Sequence, residues 1–286
     1  MASFCALAEA TSPLIVRYPL VKNVNLYKNQ SAYFHELFKL ALDNSGIDYK
    51  LEYVSVPSLP QSRSAKLIDQ QVYDAHWMTT SSEREAALLP VRIPLLKGLL
   101  GLRVGLVRQE NITLGNKVIQ SSDLNNFRVG QGHDWTDTQI LQANNIEVVK
   151  AASTVTLYDM LRKNRIDYLP RSVIEVQSEL EVAADPDLML EPDIALYYPQ
   201  AVYFFTHPDN IRLNNAIKTG LETAIQNGQF DTLFNSYFAE SLKQANMDER
   251  RIIRLRNNTL PFNTPLETKE YWYAEALLSS QKNNAG

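Results

Sequence analysis

The sequence predicts an α/β protein made of two folding units, and three observations predict it. Short β-branched runs alternate with amphipathic helical segments, the pattern of strands paired in parallel through right-handed crossovers. The alternation runs to about residue 107 and starts again at Phe127. The length, 286 residues, suits about two units of ~100–200 residues each.

Leu14-Ile-Val-Arg-Tyr18 is a β-branched run that breaks at Pro19 and reads as the first strand. Ser31 stands in an N-cap position ahead of a helix whose Phe34, Leu37, Phe38, Ala41 and Leu42 share one face. Gly46 is placed to stop that helix. Tyr49–Val56 alternates as a second strand, a short helix covers Ser62–Gln71, and Tyr73–Thr79 is a third strand. Ser82–Leu88 is a helical turn, and Val91–Leu96 and Leu99–Val107 are extended runs separated by glycine. In the second unit, Phe127–Val129, Glu147–Lys150 and Ile166–Leu169 read as strands, and Thr136–Asn144 and Thr156–Lys163 as helices. Asp185-Pro-Asp and Glu191-Pro-Asp punctuate a loop-rich stretch. Ala201–Thr206 is a further strand, Asn210–Asn227 a strongly amphipathic helix ended by Gly228, and Phe230–Phe238 a last helix. The segment beyond Asp248 is rich in Arg, Asn and Pro. Its aromatics argue against simple disorder, so it is expected to drape over one of the units.

Composition removes several function classes. There are 28 Lys plus Arg against 32 Asp plus Glu, a net charge of −4 with no basic run, which argues against binding nucleic acid through its phosphates. The longest apolar stretches fall short of the ~18–20 residues of a membrane span. The single cysteine, Cys5, excludes a disulfide scaffold and a cysteine-built metal centre. The four histidines show no metal-ligand spacing, and no nucleophile motif or paired-carboxylate helix occurs. No cofactor and no enzymatic activity are expected. Ala8-Glu9-Ala10 has the A-x-A pattern of a signal-peptidase site without the basic and apolar regions that precede one. Residues 1–10 are therefore either the remnant of an export signal or an N-terminal tail. An otherwise cysteine-free chain fits an oxidising periplasm.

Several residues stand where a small molecule could be held. Gly130-Gln-Gly-His-Asp-Trp135 joins a strand to a helix start, where successive amides and the helix dipole attract an oxyanion. His133, Asp134 and Thr136 belong to that step, and Asp134 or Thr136 could equally cap the helix. Trp135, on the loop, is placed to stack on a ligand. Trp77, with Thr79 beyond it, lies at the end of the third strand, the edge where open α/β sheets hold ligands. Trp77 serves either there or in the core, and Tyr18 has the same geometry at the first strand's end. Gln61 and Arg63 open the helix after the second strand. Arg84 opens a helical turn and, read alone, is an arginine paired with Glu83 or Glu85.

Four segments, in order, carry a resemblance. They are DAHWMTTSSEREAALLPVRIPLLKGLLGLRV, SSDLNNFRVGQGHDWTDTQIL, LYDMLRKNRIDYLPRS and AVYFFTHPDNIRLNNAIKTGLETAIQNGQFDTLFNSYF. Together, over roughly residues 14–240, they resemble the bacterial extracellular solute-binding proteins of family 3, the amino-acid type of periplasmic receptor. The resemblance implies a two-lobed, type II periplasmic-binding-protein-like fold, each lobe a mixed, mostly parallel sheet flanked by helices, joined by two hinge strands. Lobe one would be residues 11–98 and 199–275 and lobe two 99–198, with 276–286 a C-terminal tail. Gly98 and Gly101 would fall at the outward crossing and Tyr197-Tyr-Pro199 at the return. Arg84 would clamp a ligand carboxylate through its planar fork of donors, and Gln61 and Arg63 would touch the ligand. Ser172 takes the place of an aspartate that pairs with a ligand ammonium in amino-acid receptors, and Arg171 beside it would favour a second anionic group. The implied partners are a small polar solute and either the permease of an ABC importer or a membrane sensor, met by a monomer.

Overall fold

The structure is a computed structural model that describes residues 12–21, 28–57 and 61–274. Cys5, the rest of segment 1–10 and segment 276–286 lie outside the described residues. In lobe one, β1 (Leu14–Val21) pairs in parallel with β2 (Tyr49–Val56), Val16 opposite Leu51. α1 (Lys28–Asp43) links them and starts a turn ahead of Ser31, so Ser31 sits inside the helix. Its expected apolar face is real: Phe34, Leu37, Phe38, Ala41 and Leu42 are all buried. α2 (Gln61–Asp69) leads to β3 (Ala75–Thr79), which lies beside β1 through the bond from Asp74 N to Arg17 O at 2.8 Å. α3 (Ser82–Ala87) and β4 (Leu89–Val91) follow. The extended run expected over Val91–Leu96 ends at Val91. Beyond it the chain turns, with Leu95 N bonded to Val202 O and Lys97 N to Pro94 O.

Lobe two begins at β5 (Leu102–Arg108) and continues through β6 (Val129–Gly132), α4 (Thr136–Ala143), β7 (Val148–Ala151), α5 (Thr154–Arg162), β8 (Leu169–Ser172), α6 (Val176–Ala183) and β9 (Leu188–Tyr197). The chain then returns to lobe one as β10 (Val202–Thr206), α7 (Ile211–Gln226) and α8 (Gln229–Gln244). β10 runs antiparallel between β3 and β4. In lobe two, β5 lies antiparallel between β8 and β9, while β6 and β7 pair in parallel and abut β8 at a bridge between Val129 and Tyr168. The sheets are thus mixed, with antiparallel pairs at β5, β9 and β10, the strands that carry the chain between the lobes.

Three elements depart from the sequence reading. α6 was not foreseen. The stretch around Glu191-Pro-Asp is a bulge inside β9 rather than a loop: the register against β5 shifts there, and the Glu191 carboxylate accepts the amides of Asp193 and Ile194 at 2.9 and 3.0 Å. This is how a strand accommodates Pro192. β11 (Arg251–Arg254), in a segment read as lobe one, instead extends the lobe-two sheet in parallel with β9. One continuous core runs from Phe34 and Phe38 under α1, through Leu95 and Leu99 at the crossing, to Leu157 and Leu161 of α5. Separate clusters fill the opposite face of each sheet.

Candidate functional site

The three helix starts singled out in the sequence, those of α2, α3 and α4, each follow the C-terminal end of a strand. That is the edge at which open α/β sheets leave room for a ligand. At the lobe-one edge the structure joins Gln61, Thr79 and Arg84. Gln61 Oε1 accepts from Thr79 N at 3.0 Å, and Arg84 Nη1 donates to Thr79 O. Thr79 is itself buried, so it ties the two helix starts together. Ser81 caps α3 by accepting from Arg84 N at 3.2 Å. Arg63 is exposed beside Gln61.

The alternative partners of Arg84 do not take it. Glu85 is held by Arg92 at 2.6 Å and by the Thr80 hydroxyl at 2.6 Å, and Arg84 forms no ion pair among the described residues. Its guanidinium is half-buried, and desolvation pulls its pKa below the ordinary arginine value, with Glu83 acting weakly the other way. A desolvated cation at this strand edge, with no carboxylate partner among the described residues, has the donors an anion would need.

Trp77 stacks on Phe34 of α1 at 4.2 Å and 17°, with part of its surface open. Tyr18 does not line a cleft. It is 3% exposed, stacked on Phe38 at 4.4 Å, and its hydroxyl is pushed upward in pKa by burial. An aromatic at that register points onto α1 and is absorbed by its apolar face.

On lobe two, His133 and Asp134 are exposed, with His133 N bonded to Ala151 O at 2.9 Å. Trp135 occupies the N-cap position of α4 and no side chain caps this helix, so neither Asp134 nor Thr136 does so. The indole packs against Gly132, where an added Cβ would lie 2.3 Å from the ring. The Arg171 guanidinium lies over the indole, 4.7 Å from the ring centre. Arg171 is not available to a second anion, contrary to expectation. It is fully buried and gripped by Glu179 at 2.5 and 2.7 Å and by Glu175 at 3.2 Å. Ser172, also buried, donates to Leu99 O at 2.9 Å. The sequence reading missed the wider network. Arg103 pairs with Asp137 at 2.5 Å and reaches Glu175 and Gln200, while Tyr198 donates to Asp137.

Among the described residues no cluster of His, Cys, Asp and Glu could hold a metal ion, and no helix is long and apolar enough to cross a membrane. A 380 Å³ depression lined by Arg108, Gln109, Glu110 and Asp187 lies at the end of β5 away from the crossing.

No family model and no curated protein matches the chain. Solved structures do. The BvgS VFT2 domain of Bordetella pertussis superposes with a TM-score of 0.59 at 16% identity, over 78% of this chain and 93% of that one. An ancestral arginine-binding protein bound to arginine gives 0.57 at 15% identity, over 78% and 98%. A histidine kinase sensor domain with similarity to periplasmic binding proteins gives 0.55 at 13% identity, over 79% and 96%. At these identities the likeness establishes architecture: the chain has the two-lobed fold of the periplasmic binding proteins and Venus flytrap domains.

Proposed function

We propose that the protein is a periplasmic receptor that reversibly captures a small, polar, carboxylate-bearing solute between its lobes. The observation that carries this reading is Arg84, half-buried at the strand edge with no carboxylate partner among the described residues. The anion sits on Arg84, assisted by the start of α4 on the other lobe, where the N-cap residue Trp135 makes no side-chain cap bond. Trp77 and Trp135, each only partly buried, offer their exposed surface to the body of the solute. Gln61, Arg63 and His133 read its polar ends. A solute touching both lobes stabilises the closed form through those differential contacts. Micromolar capture needs about 8 kcal/mol, within reach of a few charge-assisted bonds and one or two stacked rings. The closed form then engages the permease of an ABC importer.

The fold likeness to a histidine kinase sensor domain favours a second reading, in which the same capture is reported to a membrane sensor. Loss of the gene abolishes solute uptake in the first case. In the second it leaves uptake intact and silences a response. A thermal-shift screen with amino acids, dicarboxylates, short peptides and sugars tests the capture itself, since whatever binds only the folded state raises the melting temperature. Arg84→Ala should weaken binding of the hit at least tenfold with little loss of stability. Unchanged affinity, or hits confined to uncharged sugars, would refute the anion clamp.

A further inference from the structure

The chain beyond β11 touches both crossings between the lobes. At its start, β11 is bound to the lobe-two sheet, and Asn144 at the end of α4 brackets Arg256, accepting from its N at 2.9 Å and donating to its O at 2.7 Å. The segment then runs along the return crossing: Leu255 N donates to Tyr197 O, and Asn257 Nδ2 to Pro199 O, both at 2.8 Å. At its end it is bound to lobe one. Trp272 is 1% exposed in the cluster that includes Met78, Tyr203 and Phe205, with its Nε1 donating to Pro265 O at 2.8 Å.

That same indole closes over the outward crossing. Lys97 and Gly98 have φ of 47° and 81°, consecutive left-handed residues of the kind that absorb hinge rotation. An added Cβ on Gly98 would stand 2.8 Å from the Trp272 ring, and Ala274 N donates to Lys97 O at 3.3 Å. Each hinge strand therefore has backbone groups engaged by one segment whose two ends belong to different lobes.

We infer that residues 255–274 form a strap across the hinge, a fourth connection between the lobes after the two hinge crossings and the step from α8 to β11, which sets their resting angle and limits how far they rotate. Rotation about Lys97–Gly98 must drag the glycine from beneath Trp272. Rotation about Tyr197–Pro199 must break the bonds to Leu255 and Asn257. The strap thus holds the lobes near the angle at which these contacts form.

The test is amide hydrogen exchange on the full chain, comparing peptides over 95–101 and 197–202 with peptides from the cores of α1 and α4. Asn257→Ala removes one bond at the return crossing. Trp272→Phe keeps an aromatic in the lobe-one cluster but withdraws it from Gly98. Phe262→Ser, at a fully exposed position, serves as control. Exchange at the crossings relative to the lobe cores should rise about tenfold in both strap variants and stay unchanged in the control. Reading the ratio separates hinge release from a general loss of stability. A ratio unchanged in both variants would show that the segment merely lies on the surface and would overturn the strap. This outcome is independent of what the receptor binds.

Discussion

Arg171 and Glu179 offer the sharpest energetic test, because replacing either should cost more than replacing both. Their side chains are 3% and 0% exposed, the least exposed ion pair among the described residues, and they meet fork to fork. In Arg171→Met, the Glu179 carboxylate stays buried and loses its guanidinium. The Tyr158 hydroxyl at 3.1 Å is then a much weaker partner. At an effective dielectric of about 20, unit charges ~4 Å apart interact by roughly 4 kcal/mol. Removing one member of a buried pair costs about 3–5 kcal/mol. Either Arg171→Met or Glu179→Leu should therefore cost about 3–5 kcal/mol, a large share of a typical stability of ~5–15 kcal/mol. The double variant buries no orphaned charge. Its expected cost is about 1–2 kcal/mol, covering the lost contact to Glu175 and the cation–π contact to Trp135. Urea unfolding followed by circular dichroism measures all three, with the slope checked for constancy. Acidification should restore part of the loss in Arg171→Met, because a protonated Glu179 is neutral. Additive losses in the double variant would refute the reasoning.

Trp135→Ala should abolish the fluorescence change caused by whichever solute raises the melting temperature; an identical change in the variant removes this indole from the site. His76, bonded to Ser64 Oγ at 2.6 Å, has its pKa pushed down to about 3 by burial. The unfolded chain thus takes up a proton that the folded chain refuses, so this stability is present above about pH 6.5 and drains away toward pH 3. His76→Gln should flatten the pH dependence in that window, and parallel wild-type and variant curves would count against it. Gly98→Ala should cost more than Gly46→Ala. Both glycines are left-handed and share a penalty of about 1–2 kcal/mol, but Gly46 has open space where Gly98 has the Trp272 ring. Equal losses in thermal unfolding would show that the indole gives way freely.

Much of the scaffold was legible because it rests on local periodicity. The α1 face from Phe34 to Leu42 reflects a single-element pattern and appears as read. What escaped depends on contacts distant in sequence. β11 is four residues long, and only its register against Ile194–Tyr197 makes it a strand. Pro192 reads as a loop signal, and only the bulge opposite β5 makes it tolerable within β9. Tyr18 was read as a cleft residue from its place at a strand end, yet Phe38 on α1 claims it. The start of the candidate site was visible as Thr-Ser-Ser-Glu-Arg, whereas the capture of Arg171 by Glu179 across a turn and a helix was not.

The buried arginines differ from Arg84 in what their donors hold. Arg103 and Arg171 lie behind the lobe-two edge with carboxylates at 2.5 Å, and their charge is cancelled within the protein. Arg250 is also desolvated, but its donors are consumed by the carbonyls of Ala245, Glu191 and Ile194, and the Glu191 charge offsets its own. Each of these arginines joins elements that must stay together: β5 to α4, β8 to α6, and the end of α8 to β9. Arg84 spends one donor on Thr79, three residues before its own helix, and so itself bonds to nothing distant in sequence. A side chain that bears the cost of desolvation without knitting the fold is poorly explained by stability. It is well explained by an anion that arrives from outside, which predicts that Arg84→Met leaves the melting temperature of the empty protein unchanged or raises it. A fall of several degrees would place Arg84 with the structural arginines and remove the main support for the proposed anion clamp.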